Sequence, residues 1–169
     1  MIEIALYEPQ IPQNTGNIAR LCVGLDIPLN LVGKLGFSLD DKYMKRAGLD
    51  YWKHLKIQLY NKYENFESKT LKQRKIFATT KGITPYYDFQ FEKGDIIIFG
   101  SETSGVPMDL LKKNFENSVT IPMPGKVRSL NLSNSAAIVS YFALERLGYF
   151  KDFKTNNILS VFQTEGITY

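Results

Sequence analysis

Short apolar runs rich in β-branched and aromatic residues alternate along the chain with segments of helical period. Ile2–Tyr7 reads as a buried strand, followed by a proline-bearing loop and a helix from about Asn14 to Leu25. Leu29–Gly33 and Lys56–Tyr60 are further strands, and Lys75–Thr79, Asp95–Phe99 and Ser118–Ile121 bring the set to about six. Asp40–Ala47 is a short helix with acids at its start and bases at its end, the order that the helix dipole favours. Tyr63–Leu71 is another helix, and Pro107–Asn114 opens with a proline in its first turn, where no N–H is needed. The longest helix runs from about Leu132 to Leu147, with Ala136, Ala137, Ile138, Val139, Phe142, Ala143 and Leu147 as a broad apolar face.

Strands alternating with helices predict an α/β fold: a mostly parallel central sheet with helices on both faces. Such sheets bind ligands beyond the carboxyl ends of their strands. The loops after Tyr7, Thr79, Phe99 and Ile121 are therefore where chemistry is to be sought. The chain shows no internal repeat and no low-complexity segment. Residues 1–150 read as a single domain, and residues 151–169, with weak periodicity and several polar positions, as a C-terminal extension.

Composition narrows the chemistry. At 169 residues and 44% hydrophobic, the chain is long and apolar enough for one full core. One cysteine, Cys22, and one histidine, His54, exclude an internal disulfide and a Cys/His zinc cluster, so no metal is expected. A serine or cysteine triad would have to run through His54, which follows Tyr51-Trp52-Lys53 with no partner in view and reads as a surface or structural residue. No apolar run approaches the roughly 20 residues that span a bilayer. The N-terminal segment, with Glu3 and no basic leader, does not read as a secretory signal. A soluble, cytoplasmic protein with no membrane partner is expected.

The net charge of +4 and the pI near 9.0 permit a polyanionic partner, since Lys and Arg contacts to phosphates release counterions. Many basic proteins bind no nucleic acid, so charge leaves the matter open. Lys42, Lys45, Arg46, Lys53 and Lys56 crowd one segment, either as a solvated face or as an RNA-binding patch with Tyr43, Tyr51 and Trp52 as stacking surfaces.

The familiar nucleotide signatures are missing. No two glycines are separated by a single residue, so there is no dinucleotide fingerprint. Gly100 and Gly105 have phosphate-loop spacing, but Val106-Pro107 follows where a P-loop needs Lys-Ser/Thr. No G-x-S-x-G nucleophile elbow is present either.

Three polar constellations sit at strand ends. The first is Asn14-Thr15-Gly16-Asn17-Ile18-Ala19-Arg20. On the ordinary reading Asn14 caps the helix, Gly16 allows close packing and Arg20 is solvated. On the other, Arg20 lies within about two turns of the helix start, where its fork can hold a phosphate or ribose oxygen. The second, Phe99-Gly100-Ser101-Glu102-Thr103-Ser104-Gly105, is either a turn or a loop whose amides approach a ligand beside the Glu102 charge. The third spans Ile121-Pro122-Met123 to Arg128-Ser129-Leu130-Asn131-Leu132-Ser133-Asn134. Its hydroxyl and amide side chains outnumber what one helix cap requires, which points to a ligand-binding loop.

Together the three constellations resemble the three motifs of the SPOUT class of RNA methyltransferases, in its SpoU-type ribose 2'-O-methylating branch, and in particular the small YibK/TrmL family of tRNA wobble-nucleotide methyltransferases. The resemblance rests on Leu6-Tyr7-Glu8-Pro9 with Ile11-Pro12, Asn14-Thr15-Gly16-Asn17 with Arg20-Leu21-Cys22, Gly36-Phe37 and Arg46-Ala47-Gly48-Leu49-Asp50-Tyr51. Phe99-Gly100 with Glu102-Thr103, Ile121-Pro122-Met123, and Arg128-Ser129 with Asn131-Leu132-Ser133-Asn134 continue it. It covers the chain to about Tyr149. It implies a C-terminal trefoil knot, a homodimer, and S-adenosylmethionine as cofactor, leaving as S-adenosylhomocysteine. Ala78, Gly100, Ile121 and Ser129 fall where the family contacts the cofactor, largely through backbone. Many members carry a larger aliphatic residue at the position of Ala78.

The resemblance nominates Arg20 as the residue acting on the ribose 2'-hydroxyl. A guanidinium hardly deprotonates, so its expected part is to stabilise developing alkoxide charge and grip the adjacent phosphate. Ser129 and Asn131 are expected to orient substrate and cofactor, and Glu102 to hold its loop or complement positive charge. RNA would be gripped by basic surface including Lys45 and Arg46. Ribosomal-RNA members commonly add an RNA-binding extension; this bare domain points instead to the anticodon stem-loop of a tRNA. The alternatives are a SpoU-type rRNA methyltransferase, a non-catalytic RNA-binding module and a small-molecule-binding regulatory domain.

Overall fold

The structure, a computed structural model, describes residues 1–39 and 51–153. The expected helix over Asp40–Ala47, the basic residues Lys42, Lys45 and Arg46, and the extension from residue 154 onward lie outside the described residues. In chain order the elements are β1 (Glu3–Tyr7), α1 (Pro12–Leu25), β2 (Leu29–Val32), a 3-10 turn (Trp52–His54), β3 (Ile57–Tyr60), α2 (Tyr63–Lys69), β4 (Lys75–Ala78) and β5 (Thr84–Pro85). They continue with β6 (Ile96–Phe99), α3 (Met108–Lys113), a second 3-10 turn (Phe115–Asn117), β7 (Ser118–Thr120) and α4 (Leu132–Arg146).

Among the described residues all strand pairs are parallel, and the seven strands lie in the order β3-β2-β1-β6-β4-β7-β5. The expected strands all form. β5 is the addition: Thr84–Pro85 is too short to show a period of two, and its proline is tolerated at a sheet edge.

Strand alternation divides the core between the two faces of the sheet. Ile4, Leu6, Leu29, Leu31, Ile76, Ile97 and Phe99 point to one face, against Ile18, Ala19 and Cys22 of α1 and Ala136, Val139, Ala143 and Leu144 of α4. Ala5, Val32, Phe77, Ile96 and Ile98 point to the other, against Phe66 of α2 and Leu111 of α3. Helices therefore cover both faces. The buried stripe of α4 (Ala136, Val139, Ser140, Ala143, Leu144) is narrower than its apolar composition suggested, for Ile138 and Tyr141 are exposed.

At the amino ends of β4 and β6, the Arg74 guanidinium grips the buried Asp95 carboxylate with Nε at 2.9 Å and Nη2 at 2.8 Å. This bidentate pair fixes the sheet at the end opposite the loops that matter for ligand binding. At that other end, β7 is inserted between β4 and β5, and the loop joining those two strands crosses its backbone. Thr79 N–H donates to Val119 O at 2.9 Å, and a Cβ on Gly82 would lie 2.3 Å from the Val119 carbonyl carbon. Only a glycine fits there.

Candidate active site

Strand register sets Leu6 beside Phe99, Phe99 beside Ala78 and Ala78 beside Val119. The chain segments leaving β1, β6, β4 and β7 thus emerge side by side at one edge of a parallel sheet. Between them lies a cleft of about 530 Å³, within the range of small-molecule sites. Ala78, Phe99, Val119, Ile121, Leu132 and Val139 give it an apolar lining, and Thr79, Ser101, Thr103, Ser129 and Asn131 supply hydroxyl and amide groups.

The first constellation folds differently from its ordinary reading. Helix α1 starts at Pro12, two residues before Asn14, with Ile11 at the N-cap and no side-chain cap of its own. Asn14 is therefore not the cap. Proline is preorganised for the first helical position, and the acceptors come from a distant loop. Glu102 accepts from Gln10 N–H at 2.8 Å and Ile11 N–H at 3.3 Å, placing a carboxylate at the positive end of the helix dipole.

Asn14, buried in the first turn, is free to link loops. Its Nδ2 donates to Glu102 Oε1 at 2.9 Å, and its Oδ1 accepts from Asn131 Nδ2 at 2.9 Å. Asn131 is in turn the cap of α4, accepting from Ser133 N–H at 2.9 Å and Asn134 N–H at 3.4 Å. Glu102, Asn14 and Asn131 form one hydrogen-bonded relay through all three constellations.

The second loop requires its glycines. A Cβ on Gly100 would lie 2.2 Å from the Gly105 carbonyl carbon, and Gly105 adopts φ +69°. Gly105 N–H donates to Ser101 O at 2.8 Å and closes the turn. Turn formation and cleft lining are thus properties of the same residues.

Ala78, Gly100, Glu102, Ile121, Ser129 and Asn131, all singled out in the sequence, line this one cleft. Arg20 does not. With α1 starting at Pro12, Arg20 is eight residues into the helix, about 12 Å along its axis and beyond the two turns expected. It is exposed, with its guanidinium carbon 5.9 Å from the Tyr51 ring centroid. The Tyr51 hydroxyl donates to Gly16 O at 3.2 Å, and burial raises its pKa against the opposing charge of Arg20, so it remains a neutral phenol. Lys45 and Arg46 lie outside the described residues. The sequence reading missed Ile11, Thr80 and Lys81 in the lining. The position of the β4 end was the available signal for the last two.

A parallel α/β sheet with a mixed apolar and polar cleft at its carboxyl edge defines a ligand-binding α/β protein. Residues 1–141 match the SpoU rRNA Methylase family, and the chain belongs to it. It is 47% identical over 148 residues to the tRNA (cytidine(34)-2'-O)-methyltransferase of Methylovorus glucosotrophus, covering 85% of this chain and 94% of that one. The enzyme of the same name from Escherichia coli strain K12 is 41% identical over 150 residues, 88% and 96% of the two chains. A solved structure concerned with the 2-OH methylation of C/U34 on tRNA is similar with a TM-score of 0.84 at 38% identity, covering 88% of this chain and 97% of that one. The SpoU methyltransferase AviRb of Streptomyces viridochromogenes, solved with AdoMet, shares the fold: TM-score 0.77 at 21% identity, over 87% of this chain and 57% of its own.

Proposed function

We propose that this chain is a tRNA 2'-O-ribose methyltransferase that uses S-adenosylmethionine to methylate the wobble nucleotide, C/U34, of the anticodon. The observation that carries the reading is the convergence of Ala78, Gly100, Ile121 and Ser129, from the end of β4 and the segments after β6 and β7, on one cleft. Its apolar patches suit the flat faces of an adenosine, and its hydroxyls, amides and exposed backbone suit the polar edges of the nucleoside and the methionine arm. The cofactor supplies a methyl group on a positively charged sulfur, already activated for displacement.

The protein's task is then alignment and charge management. Ala78, Gly100 and Ile121 hold the nucleoside through backbone groups, while Ser129 and Asn131 orient cofactor and ribose. Glu102 acts through Asn14 and Asn131 by keeping the three loops in register. Arg20 stabilises negative charge developing on the 2'-oxygen and grips the neighbouring phosphate.

Because Arg20 stands outside its own chain's cleft, the reading includes a homodimer in which Arg20 of one copy serves the cleft of the other. Ile138, Tyr141 and Tyr149, exposed on and just after α4, supply apolar surface for that contact. The reading also includes the trefoil knot. The insertion of β7 between β4 and β5, under the loop that joins them, supports it. Lys45 and Arg46 are assigned to the grip on the anticodon stem-loop, and the enzyme to the cytoplasm.

Labelled S-adenosylmethionine and unmodified tRNA test the assignment. Label on the ribose 2'-oxygen of nucleotide 34 is expected, with Arg20→Ala lacking turnover. Label on a base, label on a ribose other than that of nucleotide 34, or no transfer overturns it.

A further inference from the structure

Lys81 is the one basic side chain among the described residues lining the cleft. It stands on the turn after β4, closed by Gly82 N–H to Thr79 O at 3.1 Å and pinned to β7 through Thr79 N–H and Val119 O. Close packing of Gly82 on the β7 backbone sets this turn directly against the strand. Lys81 is thus a long cation on a turn tied to the sheet by a backbone hydrogen bond.

Among the described residues its ammonium meets Met108 Sδ alone, at 3.3 Å. A thioether is a weak acceptor, and an ammonium carries three donors. The ion pairs among the described residues involve Lys56 and Arg74, not Lys81. The acid of the cleft, Glu102, already accepts from Gln10, Ile11 and Asn14. Lys81 lines the cleft from an exposed position, and a cation there whose neighbour is a thioether outside the lining is matched to an anion that arrives with the ligand.

We propose that Lys81 is an anion-binding residue of the cleft, holding an anionic oxygen supplied by the ligands: the carboxylate of the methionine arm or a phosphate of the RNA. This rests on the methyltransferase reading above.

The test uses Lys81→Gln and Lys81→Arg in the full chain, with calorimetric titration of S-adenosylhomocysteine and of 5'-methylthioadenosine, which lacks the carboxylate. Anisotropy of a labelled anticodon stem-loop at several salt concentrations completes it. If the anion is the carboxylate, Lys81→Gln weakens S-adenosylhomocysteine about tenfold or more, leaves 5'-methylthioadenosine unchanged, and Lys81→Arg recovers most of the loss. If it is a phosphate, both nucleosides bind Lys81→Gln as they bind the wild type. RNA affinity then falls, and the slope of log K against log salt becomes shallower by about 0.7–0.9. Wild-type affinities and slope for Lys81→Gln overturn the proposal. Wild-type protein that binds neither nucleoside nor RNA is a different result, and overturns the methyltransferase reading together with the anion site.

Discussion

Glu102 meets three donors from the stretch that starts α1, the Gln10 and Ile11 amides and the Asn14 side chain, and Asn14 passes the connection to Asn131. Hydrogen bonds to a charged group contribute about 1.5–3 kcal/mol net, and the cost rises when a buried partner is stranded. Glu102→Ala strands the buried Asn14 amide and exposes the start of α1, so we expect it to destabilise the protein by about 2–3 kcal/mol in urea denaturation. Asn14→Ala alone should cost somewhat less. Because the two share a bond, a double-mutant cycle should show coupling above about 0.5 kcal/mol. Additive losses would mean that the relay is not energetically real. The sequence offers Glu102, Asn14 and Asn131 as polar residues at strand ends. Their partnership spans 88 and 117 residues and has no local trace.

The turn after β4 shows how one missing methyl group sets the path of an element. A Cβ at Gly82 would sit 2.3 Å from the Val119 carbonyl carbon and 2.4 Å from its oxygen, atoms of a paired strand that cannot yield cheaply. Gly82→Ala is therefore expected to lower stability by about 2 kcal/mol or more, in the manner of overpacked cores. Gly24 provides the contrast. It lies in α1 with nothing within 4 Å of its would-be Cβ. Gly24→Ala should stabilise by about 0.5–1 kcal/mol through helix propensity. In thermal melts, a rise for Gly82→Ala would contradict the first argument and a fall for Gly24→Ala the second. Gly82 also bears on the site, since the turn it allows carries Thr79, Thr80 and Lys81 into the cleft.

The two-sided core buries Cys22 and half-buries Tyr63, two groups that titrate in alkali. Burial among α1, α4 and the sheet pushes the Cys22 thiol from its ordinary 9.0 up to about 12, and burial raises the Tyr63 phenol from 10.0 to about 12, aided by the charge of Glu67. Both are neutral in their favoured form, so the folded chain holds these protons longer than the unfolded chain does. Their contribution is complete below about pH 9 and is lost as the pH rises towards 12. The melting temperature should fall across that interval, and Cys22→Ala should remove part of the slope. A flat profile from pH 9 to 12 would refute the assignment. The same burial predicts that a thiol reagent at pH 8 leaves Cys22 unmodified until the protein is unfolded.

Local pattern was enough for much of this molecule. Runs such as Ile2–Tyr7 and Ile96–Phe99 announce strands buried on both faces, and the alternation with helices announces a parallel sheet. In such a sheet the loops beyond Ala78, Phe99 and Thr120 are the binding edge, so Gly100, Glu102, Ile121, Ser129 and Asn131 could be found before any coordinates. Burial per residue is a local property, and periodicity reports it directly. Strand order, the insertion of β7 between β4 and β5, the true start of α1 and the distance of Arg20 from the cleft are of another kind. They depend on which distant segments meet when the chain closes. Its sequence position offers Asn14 as a local cap, because nothing within its own helix tells that a carboxylate 88 residues away takes that place. Only the folded chain brings the two together.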